Sequence, residues 1–433
     1  MCLRKLDDCA ADAEEKAGTI DARDRIAITG MGVVSAAGAT IASFWDTLVA
    51  ARAVARAIQR IDMSESPVRF GCEVDDLDAH SALSAKEARR TDRVTQLTLS
   101  AADAALRDAG YPERDTDAAR VAVVIGNGFG GLDTAERSAR EFLGLGEDAI
   151  KGRVNPLFIP TVMPNASAAA VSLHHGLRGP CLCVATACAA GAHAIGEGMR
   201  MLRDGSADVV VAGGAEAPLT PWVVTGFAAA RTLSTRADDP GAASRPFDRD
   251  RDGFVMAEGA GVVILERLDD ARARSAAVHA ELVGYARNTD AYNIVAPPPD
   301  GRGAAECMRL ALADAGAVPR DVAHVNAHGT STVHNDAAEA VAVRTVFGND
   351  APPVTSVKGV LGHSIGAAGA LEAIASALTL STGTIPPTAN HTEPDPDIDL
   401  DVVTEARALG DGLVVSNSFA FGGHNAVLVF GTA

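Results

Sequence analysis

Three blocks of sequence occur twice in the chain, in the same order. The first block combines an Ala/Leu-rich segment, which ends in Asp-Ala-Gly, with a short loop and a strand. The second is a strand, a tight turn of small residues and a helix, and the third is a strand that runs into Gly-Gly. The paired positions are 104–126 and 310–329, 181–202 and 353–374, and 208–214 and 413–423. Strands that alternate with helices are typical of α/β units, so we predict an α/β fold with two pseudo-equivalent halves.

The length of the chain fits a duplicated body. Its 433 residues are more than one hydrophobic core usually needs. Pro/Gly-rich stretches such as 296–303 are too short to separate independent domains. We predict a mixed-charge N-terminal tail over residues 1–24, a first half over 25–270 and a second half over 271–433. Equivalent strand-to-helix turns of the two halves would then face one pocket near a pseudo-twofold axis.

Charge and cysteine usage argue against several kinds of partner. The formal net charge of −18 disfavours binding to nucleic acid or to an anionic membrane surface. We find no signal peptide in the first 24 residues and no uncharged apolar stretch long enough to span a bilayer. The seven cysteines are odd in number and scattered, which indicates a reducing compartment. We therefore predict a cytoplasmic protein without a membrane partner.

Cys188 is the first candidate for chemistry. Residues 181–186 are predicted as a strand, and helical spacing begins at Ala189, so Cys188 falls at the turn between them. Free backbone N–H groups at a helix start favour a thiolate and could stabilise an oxyanion. The alternative is a small buried cysteine without chemistry. A metal site would draw on His174, His175, Cys181, Cys183 and Cys188. No paired C-x-x-C motif completes a zinc set, so we predict no metal.

Two histidines lie at strand ends and next to glycine. His328 follows an apolar strand, and Lys358 and His363 surround the turn that the repeat pairs with the Cys188 turn. Glu339 is either the partner of the Lys358 ammonium or a surface carboxylate at a helix start. His334, in a polar loop, is interpreted as solvated.

Four motifs together resemble one family. They are TACAAG around Cys188, NAHGTST around His328, K-x4-GHSIGAAG around Lys358 and His363, and NSFAFGGHN at 417–425. From about residue 25 to the C-terminus the chain is similar to the β-ketoacyl-acyl-carrier-protein synthases, in their elongating type I/II branch, and nearest to actinobacterial members. The resemblance implies a duplicated thiolase-like fold with αβαβα layers, usually as a homodimer, and no cofactor.

The resemblance also implies a reaction and roles. An acyl group passes from acyl carrier protein to Cys188, and malonyl-carrier protein is then decarboxylated and condensed with it. His328 and His363 assist decarboxylation, and Lys358 holds the hydrogen-bond network with Glu339 as its expected partner. The amides of Cys188 and Phe421 match the oxyanion hole, and the Phe421 ring matches a gating aromatic.

Further positions follow from the same resemblance. Thr330 and Thr332 are expected to bind the phosphopantetheine arm, although Val295 stands where many bacterial members carry a threonine. Phe227 and Val223 are expected to shape the acyl pocket. Candidate docking residues for the carrier protein are Arg89, Arg90, Arg93 and Arg231. The alternative for the arginine cluster is a solvated helix face.

Two related functions are disfavoured by the motifs. A starter-type enzyme would pair the cysteine with one histidine and one asparagine, whereas the second turn here carries His363. A thiolase would use a second cysteine near the C-terminus, and the FGGHN turn has none. The main rival is the catalytic ketosynthase subunit of a type II polyketide pathway, in a heterodimer with a chain-length factor. A third possibility is a non-catalytic homologue that only binds the carrier protein.

Overall fold

The structure is a computed structural model that describes residues 25–433 except 76, 78–82, 112–115 and 145–154. The predicted tail over residues 1–24 lies outside the described residues. The strands are β1 Ile26–Ser35, β2 Arg56–Ala57, β3 Phe70–Gly71, β4 Val121–Gly126, β5 Cys181–Val184, β6 Val209–Glu216, β7 Gly259–Arg267, β8 Ala280–Thr289, β9 Val322–Asn326, β10 Val354–Thr355, β11 Thr384–Ile385, β12 Arg407–Ala408, β13 Leu413–Ala420 and β14 His424–Gly431.

The α-helices alternate with these strands. They are α1 Ile41–Val49, α2 Ala85–Ala88, α3 Arg93–Asp108, α4 Leu132–Gly144, α5 Phe158–Val162, α6 Ala166–His175, α7 Ala190–Arg203, α8 Pro221–Ala229, α9 Leu268–Ala273, α10 Arg302–Asp314, α11 Val333–Phe347, α12 Lys358–Leu361 and α13 Ala368–Thr382. Two short 3₁₀ turns, Ala187–Ala189 and Ile365–Ala367, precede α7 and α13.

Ten strands form one sheet whose order shows the duplication. The order is β10-β9-β13-β14-β8-β1-β7-β6-β4-β5. From the antiparallel pair β1–β8 outward, each side presents the same sequence of strands, with β7, β6, β4 and β5 matching β14, β13, β9 and β10. The outer strands β4, β5 and β6 are parallel to one another, as are β9, β10 and β13. The predicted α/β fold with two equivalent sets of elements is therefore confirmed, whereas the exact domain limits stay a prediction.

The helices form layers around the sheet. Helices α7 and α13 pack on each other and contact strands of both sets, so they form the central layer. Helix α3 covers β1 and β7 and packs on α6, which contacts β4 and β5, whereas α10 covers β8 and β14 and packs on α11. One large cluster of buried side chains surrounds the central helices, and two others lie beneath the outer helices. This is the predicted αβαβα arrangement.

The two central helices meet through backbone contacts. A Cβ on Gly191 would lie 2.8 Å from the Ala370 nitrogen and 2.9 Å from the Gly366 oxygen. A Cβ on Gly369 would lie 2.7 Å from the Ala192 nitrogen. Only residues without a side chain allow this approach, which explains the small residues that both repeated turns share.

One described segment has the length and mean hydropathy of a membrane span, but it contains Glu372 and is therefore consistent with the expectation that no uncharged apolar stretch spans a bilayer. It is Ile365–Thr382, which has mean hydropathy 1.3 over 18 residues and is 89% buried. The segment contains α13, the central helix, and its apolar residues contact both sets of strands. Its composition is therefore explained by burial on all sides.

Gly191→Ala is expected to destabilise the fold, because its methyl group would collide with the backbone of the second central turn. We expect the free energy of unfolding to fall by about 1–3 kcal/mol in a urea titration. Gly226→Ala is the matched control, since a Cβ there meets nothing within 4 Å. This control should be neutral or stabilise by up to about 1 kcal/mol. Equal stability of the Gly191→Ala protein would contradict the close packing.

Candidate active site

Cys188 lies at a strained turn between a strand and a buried helix. Strand β5 ends at Val184, two residues before the predicted limit, and the 3₁₀ turn at Ala187–Ala189 leads into α7. Ala187 has a φ of 48°, a left-handed conformation that costs energy in residues other than glycine. The apolar positions predicted for the helix, Ala192, Ile195, Met199 and Leu202, are all buried. The turn thus holds the thiol in a fixed place.

The thiol of Cys188 is enclosed by protein. Its residue is 8% exposed, and burial raises the pKa of the thiol to about 12, although the Lys358 ammonium acts in the opposite direction. The backbone N–H groups of Cys188 and Phe421 both interact with the sulfur. The expected preference for a thiolate is therefore wrong for the resting protein, because loss of solvation outweighs the helix start. The two N–H groups nevertheless converge where an oxyanion would form.

The second repeated turn mirrors the first. Ile365 has a φ of 45°, matching Ala187 in the other half, and the 3₁₀ turn Ile365–Ala367 leads into α13 as Ala187–Ala189 leads into α7. His363 precedes this turn. Its backbone N–H donates to the Val255 carbonyl oxygen at 2.7 Å, and its carbonyl oxygen accepts from the Ala257 N–H at 3.0 Å. The duplication thus places a histidine next to the pseudo-equivalent of the Cys188 turn.

His328 and His363 form a buried pair. Their rings lie 5.4 Å apart between centroids, and the two residues are 3% and 2% exposed. Burial, and then the Lys358 ammonium, lowers the pKa of each imidazole well below its ordinary value. Lys358 Nζ lies 3.4 Å from His328 Nδ1. An ammonium only donates, so Nδ1 accepts and the ring proton lies on Nε2. His328 is thus a neutral N–H donor.

The expected ion pair between Lys358 and Glu339 is wrong. The ammonium donates to Glu372 Oε1 and, at 2.6 Å, to the His328 carbonyl oxygen. Glu339 instead accepts from the N–H groups of His328 at 2.8 Å and Gly329 at 2.7 Å, and from Asn417 Nδ2 at 3.1 Å. The two buried carboxylates thus have different roles. Glu372 neutralises the Lys358 ammonium, and Glu339 holds the backbone of the His328 turn.

Most of the predicted site residues line one cavity. Cys188, His328 and His363 line it together with Phe227 and Phe421. The other predicted residues on its wall are Arg231, Val295, Thr330 and Thr332. The hydroxyl groups of the two threonines are 2.8 Å apart. His334 is exposed as expected, but it also lies on this wall.

Val223 is placed differently from Phe227. It is partly buried and packs in the hydrophobic cluster that contains Cys188, next to Phe227. The Phe227 ring lies 6.2 Å from that of Phe421 and 5.5 Å from that of Phe254. An apolar chain attached to Cys188 would therefore meet aromatic walls.

The four candidate docking arginines differ in exposure. Arg89 and Arg90 are exposed, and Arg231 is exposed at the cavity. The Arg93 side chain is 12% exposed, forms an ion pair with Glu258 and donates to the Val74 carbonyl oxygen at 2.8 Å. Its guanidinium therefore ties α3 to the body of the protein and is not available to a partner.

Sequence reasoning missed several residues at this site. Phe254 packs edge-on against His363, with 5.2 Å between the ring centroids. Glu216 is fully buried and accepts from the N–H groups of Gly128 at 2.7 Å and Gly366 at 3.2 Å. Glu216 and Glu372 could have been found from the sequence, because each is a charged residue in an apolar segment. A buried carboxylate needs a partner inside the protein. In the part of the chain that is described, no group of three or more His, Cys, Asp or Glu residues could hold a metal ion.

Two family descriptions match the chain. "Beta-ketoacyl synthase, N-terminal domain" matches residues 23–271, and "Beta-ketoacyl synthase, C-terminal domain" matches residues 279–392. A curated relative from Synechocystis sp. is named 3-oxoacyl-[acyl-carrier-protein] synthase 2 and is 43% identical over 411 residues. The alignment covers 94% of this chain and 98% of the relative.

Solved ketosynthase structures share the fold. The ishigamide ketosynthase/chain length factor matches with a TM-score of 0.88 and 35% identity, over 94% of this chain and 99% of that chain. A type II polyketide ketosynthase, solved with its acyl-carrier protein and bound to the hexaketide, matches with a TM-score of 0.84 and 31% identity, at the same coverage. These matches confirm the predicted thiolase-like fold.

Alkylation of Cys188 by iodoacetamide should report a protonated resting thiol. Because burial raises the thiol pKa to about 12, the thiolate fraction rises with pH throughout the range from about 7 to 9. We expect the rate to increase about tenfold per pH unit, measured by peptide mass spectrometry on the Cys188 peptide. A plateau below pH 9 would show that the turn does stabilise the thiolate.

Arg93→Ala should affect stability, whereas Arg89→Ala should not. Removing Arg93 leaves the buried Glu258 without its guanidinium, so we expect the free energy of unfolding to fall by about 3 kcal/mol. The exposed Arg89 is the control, with an expected change within about 0.5 kcal/mol. Chemical denaturation of both variants tests this. Equal stabilities would show that the ion pair does not hold Arg93, which would then again be a candidate docking residue.

Proposed function

The chain belongs to the β-ketoacyl synthase family, and we propose that it works in fatty-acid-type chain elongation with Cys188 as its nucleophile. It is a β-ketoacyl-acyl-carrier-protein synthase, an acyl-transferring enzyme that condenses a cysteine-bound acyl group with malonyl-carrier protein. One observation supports these residue roles above the others. Cys188, His328 and His363 line one cavity, together with Phe421, whose backbone N–H is directed at the thiol.

The first step is acyl transfer. The sulfur of Cys188 attacks the carbonyl carbon of the acyl-carrier thioester, a new C–S bond forms, and the bond to the carrier sulfur breaks. The developing oxyanion accepts hydrogen bonds from the N–H groups of Cys188 and Phe421. Because the resting thiol is protonated, its proton must leave as the bond forms, and the departing carrier thiol gains one in return. The departing carrier sulfur is the base that takes up this proton, because burial lowers the pKa of both imidazoles and His328 Nδ1 already accepts from Lys358.

The second step is decarboxylation of malonyl-carrier protein. The bond between the carboxylate and the α-carbon breaks, carbon dioxide leaves, and the electron pair forms an enolate on the thioester. Two neutral imidazole N–H groups suit this oxygen, because they stabilise negative charge without first giving up a proton. The Lys358 ammonium fixes the His328 tautomer by donating to Nδ1.

The third step forms the carbon–carbon bond. The enolate carbon attacks the acyl carbonyl on Cys188 to give a tetrahedral intermediate, and the C–S bond breaks as this intermediate collapses and the ketone carbonyl forms. The same backbone N–H groups serve the oxyanion of this intermediate. The cysteine returns to the thiol by taking up a proton, and the product stays on the carrier as a β-ketoacyl thioester.

The carrier protein is the partner of this site. We propose that Arg231 at the cavity, together with Arg89 and Arg90, supplies local positive charge on a chain of net charge −18. Thr330 and Thr332 offer hydroxyl groups to the phosphopantetheine arm, whereas Val295, 44% exposed, offers an apolar contact. In the type II polyketide relative, the carrier protein is bound to its ketosynthase.

We also propose a homodimer in the cytoplasm. Strand β5 is the last strand of the sheet and contacts α6, and each of these two elements carries an exposed leucine, Leu182 and Leu173. An unpaired strand edge with apolar side chains beside it is suited to a second subunit. The free cysteines among the described residues agree with a reducing compartment.

The alternative function is that of a polyketide ketosynthase subunit. The likeness to the ishigamide ketosynthase/chain length factor favours it, because that structure combines a ketosynthase with a chain length factor. Purified protein that condenses alone as a homodimer would support fatty-acid elongation. Activity that appears only after a chain-length factor is added would support the alternative.

Cys188→Ala should separate the two halves of the reaction. The variant lacks the acyl acceptor, so we expect condensation to fall below detection. Decarboxylation of malonyl-carrier protein should continue, because His328 and His363 remain. Product analysis and release of carbon dioxide measure the two activities. Condensation at the wild-type rate would refute the role of Cys188, and loss of both activities would show that the histidines do not act independently of the thiol.

A further inference from the structure

His193 contacts the Cys188 turn and does not line the cavity of the catalytic residues. It lies on α7, and its Nδ1 is 2.8 Å from Thr186 Oγ1. The imidazole also interacts with the backbone of Ala189. Thr186 precedes the 3₁₀ turn that contains Cys188, and Ala189 ends it. One side chain therefore contacts both ends of this turn.

The turn needs such a support. Ala187 has the left-handed φ of 48°, which a non-glycine residue adopts only when its surroundings hold it there. Neither the 3₁₀ turn nor the start of α7 has a side-chain cap in the usual N-cap position. The hydrogen bond between Thr186 and His193 does not satisfy a backbone N–H as a capping residue would, but it ties the residue before the turn to α7.

The His193 ring is itself held in place by packing. It is 5% exposed and lies edge-on to Tyr285 and to His424, with 6.4 Å between centroids in both cases. The ring of Tyr285 occupies the space where a Cβ on Gly196 would lie. Burial lowers the pKa of His193 to about 4, so the imidazole stays neutral at working pH. Its contacts therefore do not change with ordinary changes of pH.

We propose that Thr186 and His193 form a positioning clamp that fixes the Cys188 turn for acyl transfer. The clamp rests on the proposed function and touches neither substrate nor reacting atoms. It acts through the backbone, because the turn carries both the sulfur and the N–H of Cys188 that would stabilise the oxyanion. A shift of this turn of about 1 Å would separate the nucleophile from the thioester carbonyl and slow the reaction substantially.

The clamp should serve acyl transfer and not decarboxylation. His328 is held by Lys358 and Glu339, and His363 by the backbone around Val255, all outside the Thr186–His193 contact. A loosened Cys188 turn therefore leaves the histidine pair in place. This separation distinguishes positioning of the nucleophile from general support of the fold, which would affect both activities.

The test compares Thr186→Val with Thr186→Ser. Valine keeps the shape of threonine but removes the hydroxyl group, whereas serine keeps the hydroxyl group. Three quantities are measured for each protein: the rate of acyl transfer to Cys188 by intact mass, the rate of decarboxylation of malonyl-carrier protein, and hydrogen–deuterium exchange of the peptide around residues 186–190. The exchange measurement needs no substrate, so it reports on the hydrogen bond between Thr186 and His193 even if the proposed function is wrong.

We expect Thr186→Val to slow acyl transfer about 10- to 100-fold, with decarboxylation within about twofold of wild type and faster exchange confined to the 186–190 peptide. Thr186→Ser should resemble wild type in all three. Equal losses of both activities, unchanged exchange at the turn, or equal behaviour of the two variants would each overturn the clamp. Wild-type protein that takes up no acyl group, with exchange still changed at the turn by valine alone, would sink the proposed function and leave the clamp standing.

Discussion

The contact between the two pseudo-equivalent turns is the constraint on which the rest of the structure depends. Gly191 and Gly369 let the backbones of α7 and α13 touch, with a Cβ on either residue less than 3 Å from the opposite backbone. This contact fixes the distance between the Cys188 turn and the turn that follows His363. The ten-stranded sheet and the outer helices hold the two turns in this relation, and the cavity forms where the turns meet.

A few buried charges set the chemistry of that cavity. Lys358 is neutralised by Glu372, and its ammonium also reaches His328, so the histidines remain neutral and one tautomer is selected. The same burial keeps the Cys188 thiol protonated until a substrate arrives. A resting thiol of this kind is protected from side reactions, and it becomes a nucleophile only when an acyl thioester and a base are in place. The protonation states of the histidine pair and of the thiol thus depend on the exclusion of water more than on any single contact.

Sequence patterns predicted the fold and much of the site for a physical reason. The repeats are local, so alternating strands, small-residue turns and the positions of Cys188, His328 and His363 can be seen in the chain itself. Partnerships between distant residues cannot be seen in this way. Arg93 forms an ion pair with Glu258, which is distant in sequence, and Lys358 pairs with Glu372 instead of Glu339, the partner that the family resemblance implied. The thiol pKa was wrong because a helix start is visible in sequence, whereas the depth of burial is not.

The most direct test is the site of the covalent acyl group. Wild-type protein and the Cys188→Ala variant are incubated with a panel of acyl-carrier proteins, alone and with a chain-length factor, and their intact masses and peptide maps are recorded. We expect an acyl adduct on wild-type protein only, located on the peptide that contains Cys188. An adduct on Cys181 or Cys183, equal adducts on the two proteins, or no adduct under any of these conditions would contradict the assignment of Cys188 as the nucleophile.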